Sequence, residues 1–174
     1  IPADTKAAFA QAAQADDKAG WKITLKMPSY FPVMQYATNR DLRHTVYKAY
    51  ATIASDQAQK PDLDNSEVIE QLLRLRAEES ALLGFNTFAE LRLETRMADT
   101  ADQVIDFLRD LAQRALPFAR KDLEQLKAYA IELGISDFQP WDAAFVSEKL
   151  RESQYAYSED EIKQYFTEPQ VLNG

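Results

Sequence analysis

The sequence predicts an all-α, mainly helical chain, and three observations predict it. Apolar residues recur at three- and four-residue steps over most of the length, short capping patterns open several of those runs, and glycines close them. With 174 residues, 46% apolar and 28% charged, the make-up is that of an ordinary globular chain of about one domain. At roughly this size folding buries on the order of 70% of the unfolded surface, so a core needs no staples. One short strand near residues 21–27 is the single exception to the helical pattern.

The elements follow in order. Residues 3–19 are rich in Ala, Gln, Asp and Lys with Phe9 the only large apolar side chain, and Gly20 is placed as a stop, so a helix with a small buried face is expected. Trp21, Ile23, Leu25 and Met27 alternate with Lys22, Thr24 and Lys26, the period of a half-buried strand, which Pro28 ends. From Asn39 the period is helical through Leu42, Val46, Tyr47, Tyr50 and Ile53, up to Lys60-Pro61. Asp64 and Glu67 form a capping box that opens a helix striped by Val68, Leu72, Leu75 and Leu82 and closed by Gly84. A short helix is expected over 87–93. Thr100 and Gln103 form a second box, opening a long run from Val104 to Leu133 that Pro117 should kink or break and Gly134 ends. Pro140-Trp141-Asp142 leads into an amphipathic stretch with Phe145, Val146 and Leu150, and Ser158 with Glu161 forms a third box. Glu168-Pro169 starts a last short turn.

Scarce residues exclude several chemistries. There is no Cys and a single His, His44, so thiol nucleophiles, thiolate metal sites and any scheme needing two imidazoles have no residues here. Four scattered glycines build no phosphate loop. A net charge of −8 argues against nucleic acid, which calls for clustered Lys and Arg. No stretch approaches the roughly 18 apolar residues of a membrane span, and no segment has the charge-then-apolar pattern of a signal peptide, so no membrane partner is expected and the expected location is cytoplasmic. The abrupt ends, Ile1-Pro2 and Val171-Leu172-Asn173-Gly174, suggest a piece of a longer protein. A lone strand needs a partner for its backbone groups, which would then come from outside this chain or from another copy of it.

Remaining candidates have a plainer account beside the functional one. His44 with Asp41 three residues back could be a base and its orienter, but a surface histidine is the better account. Nothing after His44 completes an H-E-x-x-H set. The doublets Asp16-Asp17 and Glu78-Glu79 and the run Glu159 to Glu161 point their neighbours about 100° apart on a helix, so they suit solvated faces and helix starts better than a shared substrate atom. Tyr30, Tyr36, Tyr47 and Tyr50, with Phe31, suit a peptide-binding wall and also, with more weight, core packing at the boundary.

The segment 20–55 contains T-L-x-x-P-x-Y-x-P-V-M, then N-R-x-L-R, then Y-x-A-Y. Further on come Asp64-Asn65-Ser66-Glu67, Leu73-Arg74-Leu75-Arg76-Ala77-Glu78, the run from Leu82 to Glu90, Pro140-Trp141-Asp142, Glu148-Lys149-Leu150-Arg151, and Tyr165-Phe166 before Val171-Leu172. In this order and over essentially the whole chain, these resemble the thimet oligopeptidase and oligopeptidase A family. The resemblance implies a helical zinc metallopeptidase whose two lobes flank a channel admitting short peptides. In that family two His and a Glu hold the zinc, and the Glu of H-E-x-x-H activates its water.

Those elements lie downstream of the matched region, so no catalytic or metal residue carries over to a position here, and substrate-binding positions stay unassigned. The implied share of this chain is architectural. Residues 1–38 would form a lobe junction and 39–174 channel-wall helices, the long helices from Asn65 to Leu133 foremost among them. Zinc and short peptides would belong to the parent protein, with no metal on this piece, for which self-association through apolar surface or the strand edge is an expectation. The competing reading is a stand-alone helical scaffold that binds a peptide or protein without catalysis.

Overall fold

α1 (Ala3–Gln14) follows Pro2 and buries Phe9 and Ala13. It stops sooner than the run of helix formers in 3–19. Asp17 takes a left-handed φ of 56°, and the Lys18 N–H returns to the Ala13 carbonyl at 2.9 Å, which closes the last turn. The computed structural model describes residues 1–58, 60–155, 162 and 165–173.

Trp21–Met27 is not a strand, and no strand occurs among the described residues. Its backbone donors are taken locally: the Lys22 N–H donates to the Phe9 carbonyl at 3.0 Å and the Thr24 N–H to the Ser29 hydroxyl oxygen at 2.8 Å. Ile23 and Leu25 pack on the core while Trp21 is 68% exposed, so the alternation marks an extended segment with one side on the core. Pro28 closes nothing; it lies in the first turn of α2 (Met27–Tyr36), where a missing N–H has no intrahelical partner to lose. The stretch from Pro28 to Pro32 is therefore helical.

α3 (Arg40–Ala51) ends well before Lys60. Ala54 adopts a left-handed φ of 53°, which a right-handed helix cannot pass through, and its carbonyl accepts from the Asn65 N–H at 3.0 Å. A 3-10 turn at Pro61–Leu63 precedes α4 (Ser66–Leu82). Asp64 does not reach the Glu67 N–H; its Oδ1 accepts from the Ser66 N–H at 3.0 Å and the Ser66 hydroxyl at 2.7 Å, so the box becomes a local Asx turn. α5 (Phe88–Leu93) is capped by Thr87, whose hydroxyl accepts from the Glu90 N–H.

α6 (Ala101–Glu132) starts on half of the second box: Thr100 Oγ1 accepts from the Gln103 N–H at 3.1 Å, while Gln103 Oε1 accepts from the Asp99 N–H at 2.8 Å in place of that of Thr100. Pro117 does not break it. The carbonyl that loses its donor at Pro117 lies on a fully exposed stretch, where water can satisfy it. A 3-10 turn at Pro140–Asp142 leads into α7 (Ala143–Tyr155), and α8 is Glu168–Asn173. The third box, Ser158 with Glu161, lies outside the described residues.

Two compact units result: residues 1–51 with 124–174, and residues 52–123. The first holds the core, Phe9, Val33, Met34, Ala37 and Val46 packed together, with Ile23, Leu25, Tyr30, Leu42, Tyr47 and Trp141 around it. In it α2 packs on α1, α3 and α7, and α3 packs on the 140–142 turn. The second contains α4, α5 and most of α6, with α4 against α5, where the Arg76 guanidinium lies 4.9 Å from the Phe88 ring centroid.

Candidate functional site

In α3 the apolar stripe at three- and four-residue steps is Arg43, Val46, Tyr47, Tyr50, so an arginine occupies a core-facing position. Arg43 is 1% exposed and Asp142, in the 140–142 turn, is 0% exposed. They meet: Arg43 Nη2 donates to Asp142 Oδ1 at 2.7 Å. Arg43 Nη1 donates to the Ala37 carbonyl at 2.7 Å and its Nε to the Trp141 carbonyl at 3.2 Å. Its plane lies 4.2 Å from the Phe145 ring centroid, a cation–π contact that a desolvated guanidinium strengthens.

Asp142 takes further donors on its other oxygen. Arg40 reaches Oδ2 through Nη2 at 2.8 Å and through Nε at 3.2 Å, and the Gln139 N–H donates to it at 3.1 Å. Arg40 Nη2 also donates to the Asp137 carbonyl. Burial alone would raise the Asp142 carboxyl, yet hydrogen bonds from Arg40, Arg43 and the Gln139 N–H hold it below the usual carboxylate range. Both oxygens are committed to donors, so this aspartate is held ionised as an anchor and is not poised to shuttle a proton.

His44 lies against Trp141 with ring centroids 4.2 Å apart and the planes tilted by 38°, and Tyr47 approaches the same indole at 5.9 Å. Asp41 forms neither a hydrogen bond nor an ion pair with His44, so the base-and-orienter reading does not form. Of the tyrosines, Tyr30 and Tyr50 stack at 4.2 Å. Burial raises the Tyr30 phenol, with Tyr47 and Tyr50 adding to it. Asp16 pairs with Lys22 at 2.6 Å on the surface, and Glu78 and Glu79 are exposed, as solvated groups should be. Glu159 to Glu161 lie outside the described residues.

The second unit presents a different kind of surface. Leu75 on α4 is 63% exposed and Phe118 on α6 is 72% exposed, and Val68, Leu72, Leu82, Phe107 and Leu111 are exposed as well. Where α5 meets the start of α6, Ala89, Leu93, Ala98, Ala101, Val104 and Ile105 line an open apolar groove of about 580 Å³ flanked by Arg92 and Arg96.

A zinc site does not fit these residues. No group of three His, Asp or Glu side chains able to hold a metal occurs among the described residues, and the one imidazole packs at a tilt against an indole. No helix among the described residues is long and apolar enough to cross a membrane.

Residues 33–174 match the model of peptidase family M3. The chain belongs to that family. Over its whole length this M3 chain is 45% identical to oligopeptidase A of Haemophilus influenzae and 44% identical to oligopeptidase A of Escherichia coli, covering 26% of each. It is 40% identical to the chloroplastic and mitochondrial organellar oligopeptidase A of Arabidopsis thaliana, covering 23% of it. The M3 chain thus spans about a quarter of the length of these relatives.

Two of its motifs, widely separated in sequence, are one structural unit. The N-R-x-L-R arginines Arg40 and Arg43 close on the aspartate of Pro-Trp-Asp. Sequence reasoning missed this pair, and the available signal was a charged residue sitting on an otherwise apolar helical stripe.

Proposed function

We propose that this chain is a segment of a zinc metallo-oligopeptidase that hydrolyses short peptides, and that its own part is channel wall. The observation that carries the reading is the whole-chain match, at 44–45% identity, to oligopeptidases A of which it spans 26%. With one His and no Cys, the chain cannot contain an H-E-x-x-H helix, so the zinc and its activated water belong to the remainder of the parent protein. Residues 1–38 then serve as the lobe junction and 39–174 as wall helices. Long amphipathic helices suit that task, since α4 and α6 are rigid and narrow the space beside them without supplying a reactive group. The cytoplasmic location is part of the same proposal.

The test is made on the parent enzyme and on the chain alone. In the parent, shortening α4 should relax the upper limit on substrate length, read with a ladder of quenched peptides. A folded deletion variant with unchanged length preference would overturn the wall role. The 174-residue chain should show no peptidase turnover and no stoichiometric zinc at micromolar metal. One tightly held zinc per chain would overturn the division of labour and return the reading to a self-contained site.

A further inference from the structure

Arg40 and Arg43 hold the same aspartate, yet their surroundings differ. The Arg40 side chain is 38% exposed and Arg43 is buried, so a charge at the surface and a charge in the interior share one carboxylate. We propose that Arg43 is a positioning residue that fixes α7 relative to α3, and that it thereby sets the upper limit on substrate length in the parent enzyme. The second half rests on the channel-wall reading. The first half is a property of the chain itself.

The packing of the first unit gives one side chain this leverage. α3 packs on α2 and on the 140–142 turn, and α7 packs on α2 and follows directly from that turn. The place of α7 is thus passed to α3 through two intermediaries, and Arg43 is bonded to both. Its Nη1 donates at 2.7 Å to the carbonyl of Ala37, the residue that caps α2. On the turn, Nε donates to the Trp141 carbonyl at 3.2 Å and Nη2 to Asp142 Oδ1 at 2.7 Å. Its guanidinium also lies 4.2 Å from the ring centroid of Phe145 in the first turn of α7. Burial of Val33, Met34 and Val46 draws these elements together but is non-directional. The donors of a guanidinium lie in a fixed plane, so they set an angle as well as a contact.

Arg40 has the other task. It reaches both oxygens of Asp142, through Nη2 at 2.8 Å to Oδ2 and through Nε at 3.1 Å to Oδ1, so the carboxylate keeps a counter-charge when Arg43 is altered. Arg43→Lys therefore leaves a cation in the interior and a paired aspartate beside it. An ammonium gathers its donors at one point, and it cannot span acceptors set around a plane. Arg40→Gln does the reverse: it removes the stronger share of the bonds to Asp142 and leaves the Arg43 fork in place. Were support of Asp142 all that mattered, Arg40→Gln would be the more damaging of the two.

The absence of cysteine makes the first test direct. Nitroxides at Thr45→Cys on α3 and Gln154→Cys on α7, both exposed, report the separation of the two helices by pulsed electron spin resonance. The unaltered chain and Arg40→Gln should each give one narrow distance distribution, and Arg43→Lys a broad one at unchanged helix content. In the parent oligopeptidase, Arg43→Lys should raise kcat/KM for peptides just above the length limit by about tenfold and leave the shortest peptides as they were. Arg40→Gln should move neither. A loss of folded enzyme would lower every length alike, so the ratio of long to short separates position from stability. A narrow distribution in Arg43→Lys, a distribution as broad in Arg40→Gln, or a collapse of helix content in Arg43→Lys would each overturn the positioning role. A length limit that moves on shortening α4 but not with Arg43→Lys would overturn the link to substrate length and leave the wall standing. A limit that moves with neither would overturn the wall reading, and the link to substrate length with it.

Discussion

The first unit buries a small apolar core and a charge pair; the second leaves its longest apolar stripes in water. In residues 1–51 and 124–174, α2 sits against three other helices and Arg43 finds Asp142 across the fold. In residues 52–123, order rests on hydrogen bonds that a helix makes with its own flanks, such as the Thr87 and Thr100 caps. Tertiary closure dominates the first unit, while the second combines local helix chemistry with the packing of α4 on α5. Substitutions should therefore be costly where the first unit closes on itself and mild on the bare faces of the second.

The largest effect should come from Asp142→Ala. It leaves the Arg43 guanidinium buried without a counter-charge, a loss of about 3–5 kcal/mol when one partner of a buried pair is removed. Denaturant unfolding followed through Trp141 in a Trp21→Phe background reports it, with helix content in the second unit as the internal control. The pH dependence has a definite sign. Because the folded carboxyl is held below its ordinary value, the stabilisation is complete above the unfolded value of about 3.9 and is lost as pH falls through the lower folded one. Native chain should thus lose stability in acid below about pH 4, with Asp142 contributing part of the slope. Asp142→Ala should flatten that part, and an unchanged acid slope would mean the anchor is not what acid removes.

The same comparison explains what was legible beforehand. In the second unit the local signals at Thr100 and Gly84 fall where helices begin and end, whereas the Asp64–Glu67 box gives way to bonds with Ser66. The first unit misled wherever a tertiary contact decides the outcome. Trp21 to Met27 alternates because Ile23 and Leu25 rest on the core, and a period of two over so few residues cannot tell an extended segment from a paired strand. Pro28 was open to two meanings, an element's end or a helix's first turn, and only the packing of α2 against α3 and α7 chooses between them. The Arg43–Asp142 pair spans 99 positions, so no local pattern contains both partners.

A smaller effect belongs to the cap of α6. Thr100→Ala removes the acceptor for the Gln103 N–H and should cost about 1 kcal/mol. The loss should be confined to the first turn, seen as faster amide exchange at Gln103 while exchange in α7 is unchanged. Thr100→Ser keeps the oxygen and should recover most of the protection. Exchange rising equally in α7 would show that the two units share more cooperativity than their separate construction implies.

The smallest effect tests the other side of the comparison. Leu75→Ser on α4 removes an apolar side chain that is already 63% exposed, so the folded chain gives up little buried surface, and the change should stay within about 0.5 kcal/mol. A leucine in a packed interior would cost about 2–5 kcal/mol when cut back, so unfolding of this one variant separates an open stripe from a covered one. A large loss here would contradict an uncovered stripe. It would mean that α4 is covered in solution by a neighbour of its own, and the second unit would then be held, like the first, by tertiary closure.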